Sequence, residues 1–239
     1  MSCILNIETS TSVCSVALSM DGEVLFAKAS FDGPSHAALL GVFVEEALSV
    51  LKKKGKKALD AVAVSSGPGS YTGLRIGVSV AKGLCFGFGI PLIGIHTLDI
   101  MAATVNSKGD LQIVSITDDC LYCAMLDARR MEVYAAIYDA SLKPVRETRA
   151  DIVEVGTYAS YLEKGKVCFF GNGASKCKSV ITSPNAIFIE DIHPLAVNMI
   201  PLSEQAFAAG KFEDTAYFEP FYLKEFQATV AKNKVLLAR

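Results

Sequence analysis

The chain has 239 residues, 51% of them hydrophobic and 20% charged, with a formal net charge of −2 at pH 7 and a pI near 6.0. That length suits one large domain or two small ones with real cores. The charge excludes the overall basic field that lets a chain hold nucleic acid unaided.

The start MSCILNIE has no basic leader and meets Glu8 after a short apolar stretch, so no signal peptide is expected. The longest uncharged run, residues 83–98, contains Gly87, Gly89, Pro91 and Gly94 and is shorter than the ~20 residues of a membrane span. A cytoplasmic protein without membrane contact is expected.

Residues 4–8, 13–20 and 23–29 read as three successive strands, turned at 9–12 and at Asp21-Gly22. A helix follows over 35–51, because Leu39, Leu40, Phe43, Val44, Ala47, Leu48 and Leu51 keep a 3.6-residue period. Lys52, Lys53, Lys54 and Gly55 close it with the cations and glycine that a helix C-terminus favours. A strand at 61–66, a helix at 72–87, a strand at 91–95 and a helix at 98–105 complete a βββαβαβα half.

The second half repeats that order. Strands at 122–127, 131–138 and 142–149 precede a helix at 151–164, a strand at 167–171, a short helix near 174–180, a strand at 186–189 and a helix at 195–210. The fold class is therefore α/β with two like lobes, 1–106 and 107–226, and a tail at 227–239. Each lobe needs right-handed helical crossovers to parallel strands, giving mixed sheets covered by helices.

Glu8 and Asp127 end the first strands of the two halves, where a cleft between α/β lobes holds ligands. Beside Glu8, the hydroxyls and amides of Thr9, Ser10 and Thr11 suit phosphate oxygens, and the carboxylates suit acid, base or Mg²⁺ duty. A solvated polar turn between solvated strand ends is the other reading. After the strand at 61–66 comes GPGSYTGLRIG; Gly67, Pro68, Gly69 and Ser70 build a turn with accessible amides beside a helix start, fit for an anion or a close backbone.

The helix at 72–87 is apolar almost all round. Its sheet covers one face, and the small residues Gly73, Gly77 and Ala81, with Leu40, Gly41 and Val44 on the preceding helix, are expected to admit a partner helix; burial wholly within the lobe is the alternative. Ser66 and Ser70 lack a G-x-S-x-G elbow, and no H-E-x-x-H is present, so no catalytic residue is assigned. The seven cysteines, Cys3, Cys14, Cys85, Cys120, Cys123, Cys168 and Cys177, sit in apolar surroundings and read as buried thiols. Cys120 and Cys123 form a C-x-x-C, but no second pair or adjacent histidine completes a metal set, so no metal is expected.

ILNIETSTSVCSVAL, GPGSYTGLRIGVSVAKGL, IPLIGIHTLDIMA, DARRMEVYAAIYD, GNGA and EPFYLKE together resemble the TsaB family, also called YeaZ, over most of the chain. The resemblance implies the two-lobed ASKHA fold of actin, sugar kinases and Hsp70, which is ribonuclease H-like. It implies a non-catalytic accessory subunit acting with TsaD and the ATPase TsaE in threonylcarbamoyl transfer to adenosine 37 of tRNAs that read codons starting with A. It also implies a TsaD contact through the two N-lobe helices, a homodimer in isolation, and tRNA contact only through the complex, where Lys52, Lys53, Lys54, Lys56 and Lys57 are a candidate phosphate site; a solvated helix end is their other reading. The catalytic relative TsaD carries an H-x-x-x-H metal pair on its first long helix, whereas here His36 is followed by Leu40. No cofactor is expected on the chain alone; ATP or ADP with magnesium is expected to bind weakly or only in the complex. The rival reading is a stand-alone phosphotransferase with Glu8, Thr9, Ser10, Thr11 and Asp127 around a magnesium nucleotide.

Overall fold

The computed structural model describes residues 2–33, 35–55, 58–107 and 120–223. β1 (Cys3–Glu8), β2 (Cys14–Met20) and β3 (Glu23–Ser30) form an antiparallel meander, and β4 (Ala61–Gly67) and β5 (Leu92–His96) add in parallel beside β1. The strand order is β3-β2-β1-β4-β5. The second sheet has the same plan from β6 (Leu121–Asp127), β7 (Glu132–Tyr138), β8 (Pro144–Ile152), β9 (Val167–Phe170) and β10 (Ala186–Ile189), in the order β10-β9-β6-β7-β8. The two-lobed α/β architecture and the repeat inferred from element order are both present. Every residue of β1 is buried, as expected of a central strand with helices on both faces of its sheet.

α1 (His36–Lys53) and α2 (Tyr71–Phe88) cover one face of the first sheet, with Leu40, Phe43, Val78 and Cys85 packed on Leu5, Ile7, Val62 and Val64. On the other face the first half supplies only a margin of cover, through Ile100 of its last helix. α5 (Ala196–Ala208) lies there, its Met199 and Leu202 against Ile4, Ala61, Ala63 and Ile93. Conversely, Leu98, Met101, Ala102 and Val105 of α3 (Thr97–Ser107) pack into the second sheet's core with Tyr122, Ala124, Ala136 and Tyr138. Each half thus sends its last helix onto the other's sheet, and Asn198 of α5 donates to the Thr104 hydroxyl of α3 at 3.0 Å. A boundary near residue 106 divides the sheets but not the layers that cover them.

The helix expected at 151–164 is largely absent. β8 runs through Ile152, and only α4 (Ala159–Leu162) is α-helical. Asp151 is held in the strand because its carboxylate accepts from Arg146 at 2.5 Å and from the Tyr158 hydroxyl at 2.7 Å, and Gly156 follows at φ +91°, outside helical space. Similarly, the short helix near 174–180 is a 3-10 turn at Ser175–Cys177. The segment after α5 docks on the first lobe: Glu213 N–H donates to Leu92 O at 2.9 Å, and Phe221 N–H donates to Ser66 O at 2.7 Å. The tail assigned to 227–239 lies outside the described residues.

α2 approaches its sheet through glycine. A Cβ on Gly73 would collide with the Thr9 carbonyl oxygen, and one on Gly77 with Thr9 Oγ1, whereas Gly83 on the same helix faces open space. Gly77→Ala is therefore expected to cost about 1–3 kcal/mol, while Gly83→Ala should be neutral or stabilise by up to ~1 kcal/mol through helix propensity. Chemical denaturation of the two variants side by side checks the difference, and equal stabilities would refute the assignment of the packed face.

Candidate functional site

The turn between β1 and β2 is the most enclosed polar structure in the molecule's first half. Glu8 and Thr9 are fully buried, Ser10 is 1% exposed and Thr11 9%. Their polar groups point inward. The Glu8 carboxylate accepts from the Ser10 N–H at 2.5 Å, and the Thr9 hydroxyl donates to Gly73 O at 2.8 Å. The Ser10 carbonyl accepts from the Ser70 N–H at 2.6 Å, and the Thr11 carbonyl lies 2.8 Å from His36 Nε2.

The turn at Gly67, Pro68, Gly69 and Ser70 explains this closure. Gly67 has φ +107°, which an L side chain rarely adopts, and its α face lies against the Phe221 carbonyl. Gly69 rests against the backbone of Ser10, where a Cβ would overlap it. Ser70 then caps α2 by accepting from Gly73 N–H at 3.2 Å. Of the two partners foreseen for this turn, an anion or a close backbone, the described residues supply the backbone.

A magnesium nucleotide does not fit this turn as it is built. The Thr9 and Ser10 amides already donate to Ser65 Oγ and Glu8, and the Glu8 carboxylate is fully buried rather than turned to solvent. Glu8 Oε2, Ser10 Oγ and His36 Nδ1 are buried without a hydrogen-bond partner. Burial raises the Glu8 pKa from 4.5 to about 7, against the lowering effect of the nearby Ser10 and Ser65 polar groups.

Asp127 occupies the matching strand end in the second lobe but a different environment. It is exposed, ion-paired with Lys176, and accepts from the Arg129 N–H at 2.9 Å. Its own N–H donates to Asn172 Oδ1 at 3.0 Å. The GNGA segment therefore plays for β6 the part that GPGS plays for β1. Gly171 has φ +97°, and a Cβ on Gly173 would press on Leu126 and Asp127. This equivalence was readable, since each glycine segment follows the strand that pairs in parallel with the first strand of its lobe.

The small-residue face of α2 requires correction. Leu40, Val44, Gly73, Gly77 and Ala81 are all buried in their own lobe; of the six positions offered to a partner, Gly41 alone is exposed. The stripe meets the β1–β2 turn and β4, because glycine is what permits that approach. The outward surface of the two helices instead carries Ala38, Gly41 and Val42 on α1 and Gly83 and Phe86 on α2, with Ile76, Val80 and Leu84 half-buried beside them. Lys52, Lys53 and Lys54 are exposed at the end of α1, and Lys56 and Lys57 lie outside the described residues.

Sequence reasoning missed a cleft of about 450 Å³ between the lobes, lined by His96, Asp99, Tyr138, Glu147, Leu202 and Phe221 among others. The Tyr138 hydroxyl donates to Asp99 at 2.7 Å across it. These residues come from five separate segments, so no local pattern announces them. Among the described residues no group of three or more His, Cys, Asp or Glu side chains is arranged to hold a metal ion, and no helix is long and apolar enough to cross a membrane.

Residues 32–232 match the family model described as TsaD: tRNA N6-adenosine threonylcarbamoyltransferase. The chain is 31% identical to the tRNA threonylcarbamoyladenosine biosynthesis protein TsaB of Escherichia coli, over 92% of this chain and 94% of that one. Among solved structures it is similar to YeaZ from Pseudomonas aeruginosa, with a TM-score of 0.72 and 27% identity, covering 93% of this chain and all of that one. The chain belongs to the TsaB (YeaZ) family. A second Pseudomonas aeruginosa structure, described as an uncharacterized protein with similarity to peptidase YEAZ, superposes with a TM-score of 0.75 at 26% identity over 94% of this chain. In this chain the seat of α2 on the β1–β2 turn arranges the N-lobe helices.

The buried Glu8 makes a prediction about pH. The folded chain holds the Glu8 proton more tightly than the unfolded chain, at about 7 against 4.5, so this group's stabilisation is complete below pH 4.5 and is lost as pH rises through 7. Wild type should therefore lose about 1–3 kcal/mol relative to Glu8→Gln between pH 4.5 and 8. Urea denaturation of both proteins across that range measures it, and parallel pH profiles would contradict the buried, protonatable carboxyl.

Proposed function

We propose that the chain is a non-catalytic accessory subunit that works with TsaD and TsaE in threonylcarbamoyl transfer to adenosine 37 of tRNA. As a TsaB family member it has a role in tRNA threonylcarbamoyladenosine biosynthesis. The observation that carries the accessory reading is the state of His36. Its ring is 5% exposed, bonded to the Thr11 carbonyl, and followed one turn later by Leu40, which is 1% exposed in the core. A metal pair of the H-x-x-x-H kind has only one of its ligands here, and that one is sealed.

Chemistry on this reading belongs to TsaD. The chain contributes the outward surface of α1 and α2, and tRNA is reached through the assembled complex. The phosphotransferase alternative has less support, because Glu8 is closed off and Asp127 is paired with Lys176. On this reading ATP or ADP with magnesium is held weakly or only in the complex.

Purified alone, the chain should yield no threonylcarbamoyladenosine from tRNA supplied with threonylcarbamoyl-AMP, and no ATP turnover. Adding TsaD and TsaE should give modification that depends on the chain. Product or sustained ATP hydrolysis by the chain alone, free of partner contamination, would sink the accessory reading.

The outward helix face supplies a second test. Val42 is 47% exposed and Gly83 faces open space, so Val42→Asp and Gly83→Arg should leave thermal stability within about 2 °C of wild type. Each should weaken TsaD association at least about tenfold, the effect of placing an unpaired charge in an interface, and reduce modification in step. Normal binding by both folded variants would move the partner surface elsewhere.

A further inference from the structure

The C-x-x-C at Cys120 and Cys123 is not a pair in space. In extended backbone, residues three apart face opposite sides of a sheet. Accordingly, Cys120 joins the core beneath α3, while Cys123 joins the core on the far side with Tyr158 and Cys177. Cys120 instead meets Cys168 on the neighbouring β9, with the two sulphurs 3.0 Å apart. Cys120 lies just before β6, two residues along from Tyr122, which is paired with Cys168, so the two cysteines are diagonal neighbours on one face of the sheet, and Leu121 N–H donates to Lys166 O at 3.0 Å. Both thiols are free and almost wholly buried.

We propose that Cys120 and Cys168 form a peroxide-responsive dithiol that closes to a disulfide across β6 and β9. The sulphurs need to approach by about 1 Å to reach a bond length of about 2.05 Å. The reaction balances with a hydroperoxide as oxidant. With hydrogen peroxide, the Cys120 thiolate attacks one oxygen, the O–O bond breaks, and the other oxygen leaves as hydroxide, which takes up the proton the Cys120 thiol had released and becomes water, so that Cys120 is left as a sulfenic acid. Cys168 sulphur then attacks Cys120 sulphur; the S–S bond forms, the S–O bond breaks, and the second oxygen leaves as water with the Cys168 proton. Two thiols lose two electrons and one peroxide gains them.

The cysteines differ in readiness for the first step. The contact with Cys168 lowers the Cys120 thiol below its ordinary range, against the raising effect of its own burial and with help from the Lys166 charge. Burial pushes the thiols of Cys14 and Cys85 up to about 11, and raises those of Cys123 and Cys177 as well. The thiolate is the attacking species, so Cys120 is the one that peroxide finds. A hydroperoxide is small enough for a nearly buried sulphur where a bulky disulfide oxidant is not. The new bond lies in the same cluster as Leu98, Met101, Ala102 and Val105, so oxidation stiffens the core on which α3 rests.

The full chain, reduced and then treated with a few equivalents of hydrogen peroxide at pH 7, tests this. Free thiols are alkylated in denaturant, and the peptides are mapped without reduction. The expected result is the loss of two of the seven alkylated cysteines, a linked peptide pair holding Cys120 and Cys168, and a rise in Tm of about 4 °C or more that dithiothreitol reverses. Cys168→Ala should show no linked pair, and because it also removes the contact that lowers the Cys120 thiol, Cys120 should be oxidised more slowly than in wild type and stop at a sulfenic acid captured by dimedone. Should Cys168→Ala fail to fold, Cys120→Ser serves instead, retaining all six thiols at the same peroxide dose. A Cys120–Cys123 link, over-oxidation of Cys120 with Cys168 still free, or seven alkylated thiols after a hundredfold excess of peroxide would each overturn the proposal.

Discussion

The seat of α2 on the β1–β2 turn is the contact on which the first lobe depends. Three glycines, Gly69, Gly73 and Gly77, bring helix and turn so close that no side chain fits between them. The Thr9 hydroxyl and the Ser10 carbonyl then bond directly to the helix and its cap. In this way a turn rich in hydroxyls becomes core. Orphan donors and acceptors at a helix start must be satisfied somewhere, and here a strand end that other α/β proteins would offer to a ligand satisfies them.

That closure has electrostatic effects. It removes water from Glu8, which keeps a proton near neutral pH, and it leaves several polar atoms without partners in the same few ångströms. Such groups cost stability unless something offsets them. The surrounding apolar packing of α1 and α2 on the sheet supplies that offset, with Leu74, Val78 and Ala81 almost wholly buried. The second lobe solves the same geometric problem differently, with Asp127 in solvent and paired, so the two strand ends are alike in topology and unlike in chemistry.

Strands, their order and the duplication were legible because short apolar runs between turn residues have few alternative uses. The helix expected at 151–164 was misread because Ile152, Val155, Tyr158 and Leu162 mimic a helical period, while Asp151 is committed to Arg146 and Tyr158. The glycine stripe of α2 was visible too, but a periodic pattern states that a face is small and not what covers it. The covering group, Thr9, lies more than sixty residues earlier in the chain. For the same reason Glu8 was recognisable as a strand-end carboxylate, yet its enclosure depends on Ser65, Gly69 and His36, which only the fold brings together. The pairing of Cys120 with Cys168 is hidden by the nearer Cys123, since spacing along a strand conceals which face each sulphur takes.

The exchange of α3 and α5 between the sheets sets the order in which a nascent chain can mature. When β5 leaves the ribosome, one face of the first sheet lacks its main cover, and Ile4, Ala61, Ala63 and Ile93 gain only Ile100 of α3 as a neighbour until α5 ends at Ala208. The N-terminal half cannot complete its core as an early, separate unit, and domains that do so are the ones synthesis usually protects from aggregation. Translation pauses or truncations before residue 196 therefore leave a chain with a bare apolar sheet, a natural substrate for chaperones, and the two halves reach their native state together.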